Sequence, residues 1–145
     1  MFRLLSSTLV FFALFVSVIS ETVTYCIQLN CKVGRRHMDK SRALLLRLGI
    51  RSTLKGFYFL LYALQLCLSN DEYLLSVYKT LYVDVATHFG TSRDNVEHCI
   101  RTAISNCWYK GNRKLLINIT GYELKQKPAN GEFIDILYNY LTQEG

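Results

Sequence analysis

The stretch FGTSRDNVEHCIRTAISNCW, residues 89–108, decides the fold because it joins the end of one helix to the start of another. Gly90 can adopt the left-handed backbone conformation that commonly closes a helix. Thr91 or Ser92 then offers a side-chain oxygen to cap the next helix, and Asp94 places a favourable negative charge in its first turn. The pattern predicts two helices joined by a short glycine-containing turn, a helix-turn-helix.

The second of these helices has an apolar face and a polar face at helical spacing. The apolar face carries Val96, Cys99, Ile100, Ala103 and Cys107. The polar face carries Asp94, His98, Arg101, Thr102 and Ser105. This amphipathic pattern predicts that one face packs on a core. It leaves open whether the outward face is only solvated or binds a ligand.

Helical periodicity continues on both sides of this motif, and the chain contains a single proline, Pro128. A stripe of leucines at 44, 45 and 48 ends at Gly49. A central buried helix follows, capped by Ser52 or Thr53 and bearing leucines at helical spacing. Residues 72–89 form one helix or two, and Asn130 caps a last helix. We therefore predict an all-α domain over residues 41–145, with the helix-turn-helix at about 81–108.

The N-terminal stretch MFRLLSSTLVFFALFVSVIS, residues 1–20, is a hydrophobic leader. It has the features of a signal peptide or of a short membrane anchor, although a spanning helix needs about 20 apolar residues. Residues 21–40 are predicted to be a linker with at most one strand, at Thr22–Leu29. The predicted division is thus a leader, a linker and a helical domain.

The net charge is +6, and the surplus of the helical domain is concentrated between residues 91 and 114. A basic patch of this kind suits a polyanion such as nucleic acid, or it is a solvated loop. Five residues of the second helix are candidates to read bases in the major groove: Asn95, Glu97, His98, Arg101 and Thr102. Five residues are candidates to contact phosphates: Ser92, Arg93, Lys110, Arg113 and Lys114.

The sequence offers no pattern for catalysis or for a cofactor. The five cysteines are odd in number and form no CxxC pair, so we predict neither a disulfide framework nor a metal site. The three histidines have no partner pattern, and no glycine-rich phosphate loop occurs. We predict that the protein is not an enzyme. A DNA-binding domain and a plain helical bundle remain as the two classes.

Three stretches carry a resemblance to a known family: LKGFYFLLYAL, VYKTLYVDVATHFGTSRDNVEHCIRTAISNCWYKGN and KPANGEFIDILYNYL. In order and spacing they resemble the C-terminal effector domain of the stage-zero sporulation protein A family, the response regulators that initiate sporulation in endospore-forming Firmicutes. The resemblance covers about Leu44 to Leu141. It implies a compact bundle of about six helices, with a recognition helix from Ser92 to Trp108 that binds short DNA boxes as tandem dimers. It also implies that the region near Arg113 to Tyr122 meets RNA polymerase.

The chain departs from the family pattern in two places. The family typically carries Arg, Glu, Arg, Arg and His where this chain has Asn95, Glu97, His98, Arg101 and Thr102, so only Glu97 and Arg101 are kept. We expect altered and weaker DNA recognition. The forty residues ahead of the first matching helix are too few for a receiver domain, so we expect regulation without one.

The predicted function is that of a cytoplasmic transcription regulator that binds double-stranded promoter DNA. The alternative is a secreted or membrane-tethered helical interaction protein, or a truncated remnant, without DNA binding. For location, the alternatives to the cytoplasm are that residues 1–20 hold the domain at the inner face of the membrane, which is the second choice, or that they direct its export.

Overall fold

The computed structural model describes residues 2–144, with side-chain environments from Thr8 onward, and within this range it is helical without strands. A 3₁₀ segment at Asp71–Ser76 and a π-helical turn at Val77–Leu81 lie between the second and third α-helices. The prediction of an all-α fold is confirmed. Within the described residues the α-helices are α1 (Phe2–Arg47), α2 (Lys55–Ser69), α3 (Tyr82–Phe89), α4 (Arg93–Tyr109), α5 (Arg113–Thr120) and α6 (Asn130–Gln143).

The chain divides into two compact units, Met1–Arg36 and His37–Gly145. In the first unit, residues Thr22–Leu29, for which the sequence predicts at most one strand, belong to α1 and form no strand. The hydroxyl of Thr22 donates to the carbonyl oxygens of Val18 and Ile19, and that of Thr24 donates to the carbonyl of Ser20. These bonds satisfy the hydroxyls inside the helix, so the alternation of threonine and apolar residues does not require a sheet.

The α1 helix from Thr8 to Arg47 is long and apolar enough to cross a membrane, with a mean hydropathy of 1.9 in its most apolar window. None of that window is buried inside the protein. A signal sequence near an N-terminus meets the same criterion.

The second unit is built around α2. Its side chains Phe57, Leu60 and Leu64 have no exposed surface, and they share one core with residues of α3, α4 and α6. The helix α2 crosses α4 at Gly56, where an added Cβ atom would lie 2.2 Å from the carbonyl oxygen of Cys99. Only glycine permits so close an approach of the two backbones.

Two of the predicted caps are wrong. The helix α2 begins one residue after Leu54, which caps it without a side-chain hydrogen bond, so neither Ser52 nor Thr53 does so. Likewise Ala129 precedes α6, and Asn130 is the first residue of that helix. The amide of Asn130 donates instead to the carbonyl oxygen of Glu97 at 3.1 Å. The Asn130 side chain, which the sequence pattern assigned to a helix cap, therefore makes a tertiary contact with α4 instead.

Candidate nucleic-acid interface

The turn between α3 and α4 has the geometry that the sequence predicts. Gly90 lies in the left-handed region with φ 63° and ψ 39°. The amide of Thr91 reaches back to the carbonyl of Ala86 at 2.9 Å, which closes α3. The Ser92 hydroxyl accepts a hydrogen bond from the backbone amide of Asn95 at 3.2 Å and caps α4. The two helices are thus joined by a short turn, and backbone groups at the end of α3 and at the start of α4 have hydrogen-bond partners in it.

The apolar face of α4 holds the helix in the core. Five of its side chains have no exposed surface: Val96, Ile100, Ala103, Ile104 and Cys107. Burial raises the pKa of the Cys107 thiol from 9.0 to about 11. This cysteine therefore stays protonated and packs as a small apolar side chain. The helix is oriented by its buried face, and the opposite face is left at the surface.

The exposed face of α4 presents His98, Arg101 and Thr102. The Arg101 guanidinium forms an ion pair with the carboxylate of Glu97, one helical turn earlier. The Arg101 side chain is 55% exposed and that of Glu97 is 26% exposed, so the pair lies at the surface. Thr102 donates its hydroxyl proton to the carbonyl of His98 at 3.0 Å and keeps its lone pairs available as acceptors.

Asn95 differs from the exposed candidates His98, Arg101 and Thr102 because it is half-buried and both ends of its side-chain amide make hydrogen bonds within the protein. Its amide nitrogen donates to the Thr91 hydroxyl at 2.8 Å, and its amide oxygen lies 3.7 Å from the Cys99 sulfur, which donates to it. The residue is half-buried. A bidentate contact from Asn95 to adenine must therefore use the second amide proton and the second lone pair of the oxygen, or break these two hydrogen bonds.

The candidate phosphate contacts fall at the two ends of α4 rather than in one patch. Ser92 and Arg93 lie at its N-terminal end, and Lys110, Arg113 and Lys114 follow its C-terminal end. The helix between them is about 25 Å long at 1.5 Å per residue. All five residues are exposed. The basic stretch that the sequence suggests is therefore two separate groups of residues flanking one polar helix face, with one cation in the first group and three in the second.

An aromatic ring supports an arginine in each of these groups. The Arg93 guanidinium lies 4.1 Å from the centre of the Tyr78 ring, and the Tyr78 hydroxyl donates to Asp94 at 3.0 Å. The Arg113 guanidinium lies 3.8 Å from the centre of the Trp108 ring. A cation held over an aromatic face loses rotational freedom while keeping its hydrogen-bond donors. Both guanidinium groups are thus partly oriented before any ligand binds.

The loop before α6 adds polar groups to this surface that periodicity in the sequence could not identify. Lys127 donates to the Ser105 hydroxyl at 2.9 Å, and Asn130 bonds to the backbone at Glu97. A cleft of about 520 Å³ lies beside α4, and its lining includes Tyr82, Arg101 and Lys127. Lys127 and Ser105 are 22 positions apart in the chain, and Asn130 and Glu97 are 33 positions apart. No local sequence pattern therefore predicts these contacts.

The family model for the C-terminal domain of sporulation initiation factor Spo0A matches residues 42–141. The match includes α2, α3, α4 and α5 and most of α6. That domain is the DNA-binding part of the sporulation regulator. The turn and the exposed face of α4 lie within the matched residues.

Proposed function

The chain belongs to the family of Spo0A C-terminal domains, which are DNA-binding domains in transcription regulation, and we propose that it places α4 in the major groove of double-stranded promoter DNA. One observation carries the proposal. The helix α4 is fixed by a fully buried face and presents an exposed face with side chains of the types that read base edges. Family membership supports DNA binding in general, and the exposed face of α4 supports the choice of the residues that contact DNA.

Arg101 is the principal base-reading residue in this proposal. Its pair with Glu97 holds the guanidinium along the helix surface, and a guanidinium can donate two hydrogen bonds to the O6 and N7 atoms of guanine. His98 and Thr102 flank it on the exposed face and contact the neighbouring base pairs. Glu97 orients Arg101 and accepts from cytosine. Asn95 completes the set through the amide proton and the oxygen lone pair that its internal hydrogen bonds leave free, or by opening those bonds.

The candidate phosphate contacts at the two ends of α4 set affinity and register in this proposal. Ser92 and Arg93 contact phosphates beside the start of the helix, and Lys110, Arg113 and Lys114 contact phosphates beyond its end. Phosphate contacts of this kind carry no sequence information directly. They predict a strong dependence of the dissociation constant on salt, because each neutralised phosphate releases condensed counterions.

Three further parts of the proposal rest on family membership. The chain binds tandem DNA boxes as a homodimer, acts in the cytoplasm where promoters are, and contacts RNA polymerase through residues 113–122. The exposure of Tyr122, at 52%, supports the last of these. The Tyr122 hydroxyl donates to Glu132 at 2.9 Å, so α6 holds this ring at the surface.

The test is selection from a randomised duplex pool with residues 37–145, whose core lies wholly within residues 44–141. We expect enrichment of one short sequence, with dissociation constants well below the non-specific range of about 10⁻⁴–10⁻⁶ M at physiological salt. Enrichment of no sequence, together with binding inside that range, would show that α4 has kept its shape and does not read DNA. The double variant Arg101→Ala, His98→Ala should lose the enrichment while keeping weak binding.

The exposed apolar surface of α1 favours a second candidate, an exported interaction protein without DNA binding. Fractionation of cells that express the chain with a C-terminal tag separates the two functions. A tagged protein that lacks residues 1–20 and accumulates in the medium would support export. A full-length chain that stays with the cell supports the regulator.

A further inference from the structure

The N-terminal part of α1 holds a long stretch with almost no charge. Between Arg3 and Lys32 the only charged residue is Glu21. The structure continues as one α-helix through this stretch to Arg47. About 20 helical residues cross the hydrocarbon core of a bilayer, which is about 30 Å thick. The helix is therefore long enough, although the apolar leader alone is short by the sequence criterion.

The apolar surface of this stretch surrounds the helix on all sides. Val10, Phe11 and Phe12 are 57%, 76% and 69% exposed, and consecutive residues of an α-helix are turned by about 100°. Leu14, Phe15 and Val16 repeat the pattern one turn later, at 60%, 65% and 51%. A protein partner docked on one side would leave the other sides in water. A lipid environment covers all of them at once.

We propose that the apolar part of α1, about 20 residues centred on residues 11–15, inserts across a lipid bilayer and tethers the DNA-binding unit to the membrane. The polar groups of the segment fit this environment. Thr22 and Thr24 bond to helix carbonyls three or four residues earlier, so their hydroxyls need no water. Glu21 lies toward the C-terminal end of the stretch, and a span centred on residues 11–15 places it near the interface, where a charge is better tolerated.

The flanking charges determine which side of the membrane the C-terminal unit occupies. Lys32, Arg35, Arg36, Lys40 and Arg42 follow the apolar stretch, and Asp39 is the only acid among residues 31–47. Arg3 is the only cationic side chain before it. Cytoplasmic flanks of spanning helices carry the excess of lysine and arginine. The orientation is therefore N-terminus outside and residues 37–145 in the cytoplasm, on the side where DNA is.

The first experiment tests insertion with the full chain expressed in a bacterial host. We expect the protein in the membrane pellet, resistant to extraction at alkaline pH. The double variant Phe12→Arg, Phe15→Arg should move to the soluble fraction, since each central arginine shifts the partition by roughly a hundredfold. The matched control is Leu75→Arg, which adds a charge at a leucine that is 88% exposed in the 3₁₀ segment. The control should remain in the membrane pellet.

The second experiment tests orientation with the wild-type chain, so it does not depend on the folding of any variant. A C-terminal tag should resist protease in intact spheroplasts and be digested after lysis. The triple variant Lys32→Glu, Arg35→Glu, Arg36→Glu should expose the tag in intact spheroplasts in part or in full.

Three results would overturn the proposal. Release of the wild type at alkaline pH would show that the leader is covered by something other than lipid, such as a second copy of the chain. Digestion of the wild-type tag in intact spheroplasts would reverse the orientation. A shortened chain in the periplasm would show cleavage of a signal sequence. None of these results depends on whether α4 binds DNA.

Discussion

The two faces of α4 have the same backbone and opposite roles. Ile100 has no exposed surface, and Arg101, the next residue, has a side chain that is 55% exposed. The face around Ile100 holds the helix against α2, α3 and α6, and the face around Arg101 presents polar groups to solvent. One side of the helix thus determines where the other side is held. Stability and recognition should therefore respond to different residues of one element.

The largest expected effect is on the buried face. Ile100→Ala removes apolar atoms from a fully buried site and should lower the free energy of unfolding by about 2–5 kcal/mol, because the cavity closes only in part. Urea denaturation followed by circular dichroism measures the change. The control His98→Ala, on the exposed face two residues earlier, should change stability by less than about 0.5 kcal/mol. Equal losses for both variants would show that the two faces are not distinct.

The next effect is on the exposed face. Arg101→Ala should weaken binding to the preferred duplex by about 1–3 kcal/mol, because a bidentate contact with guanine is lost. Loss of its pair with Glu97 should lower the free energy of unfolding by only about 0.2–0.5 kcal/mol. Competition binding against single-base variants of the duplex measures the first quantity.

Arg101→Lys is the matched control for that substitution. It keeps the positive charge and removes the planar fork, so it should retain non-specific affinity and lose discrimination at one base pair. Full discrimination by the lysine variant would show that the planar fork of Arg101 is not needed to discriminate at that base pair.

The buried face should also respond to alkaline pH. Burial raises the pKa of Cys107 from 9.0 to about 11 and that of Cys67 from 9.0 to about 12. Between pH 9 and 11 the unfolded chain loses these protons while the native chain keeps them, so the native state binds more protons and stability falls as pH rises. Each thiol should contribute a slope of at most about 1.4 kcal/mol per pH unit.

Urea denaturation at several pH values from 8 to 10.5 measures this slope. The variant Cys107→Ala should show a shallower slope than the wild type, whatever its stability at pH 8. The variant Thr102→Ala, on the exposed face, should keep the wild-type slope. An unchanged slope in Cys107→Ala would show that its thiol titrates at the same pH in both states.

The smallest effect concerns the cations beyond the end of α4. Lys114→Ala should weaken binding to all duplexes alike and reduce the slope of log K against log salt by about one unit. Fluorescence anisotropy at a series of salt concentrations measures it. The control is Lys79→Ala, which removes another exposed lysine, in the π-helical turn, and should leave the slope unchanged. A loss confined to one sequence would place Lys114 at a base instead.

Local signals predicted the helical pair well. The left-handed glycine, the serine cap and the buried stripe of α4 depend on neighbours within one or two turns, and all three are confirmed. The errors arise in the assignment of helix caps. Asn130 satisfies a polar group of α4 instead of capping its own helix, and Leu54 precedes α2 where Ser52 or Thr53 was predicted to cap it. At Thr22 and Thr24 the β-like alternation allowed at most one strand, and both residues lie in α1.

The candidate site was predicted less completely than the fold. Composition identified the polar residues of α4, and exposure now separates His98, Arg101 and Thr102 from Asn95, whose amide is engaged. The position of Lys127 could not be predicted, because the loop that carries it approaches α4 only in three dimensions. The assignment of these residues to bases and phosphates stays a prediction.

The crossing of α2 and α4 at Gly56 has a consequence for the order of folding events. Gly56 and Cys99 are 43 residues apart in the chain (99 − 56), so their contact closes a long loop at a large cost in chain entropy. Individual helices form within about a microsecond, and the short turn brings α3 and α4 together early. We expect the crossing of α2 and α4 to form after α3 and α4 have paired. Its rate should be limited by how often the backbone at Gly56 meets the backbone at Cys99 in the correct alignment. Only with that step does the outward face of α4 acquire its fixed direction.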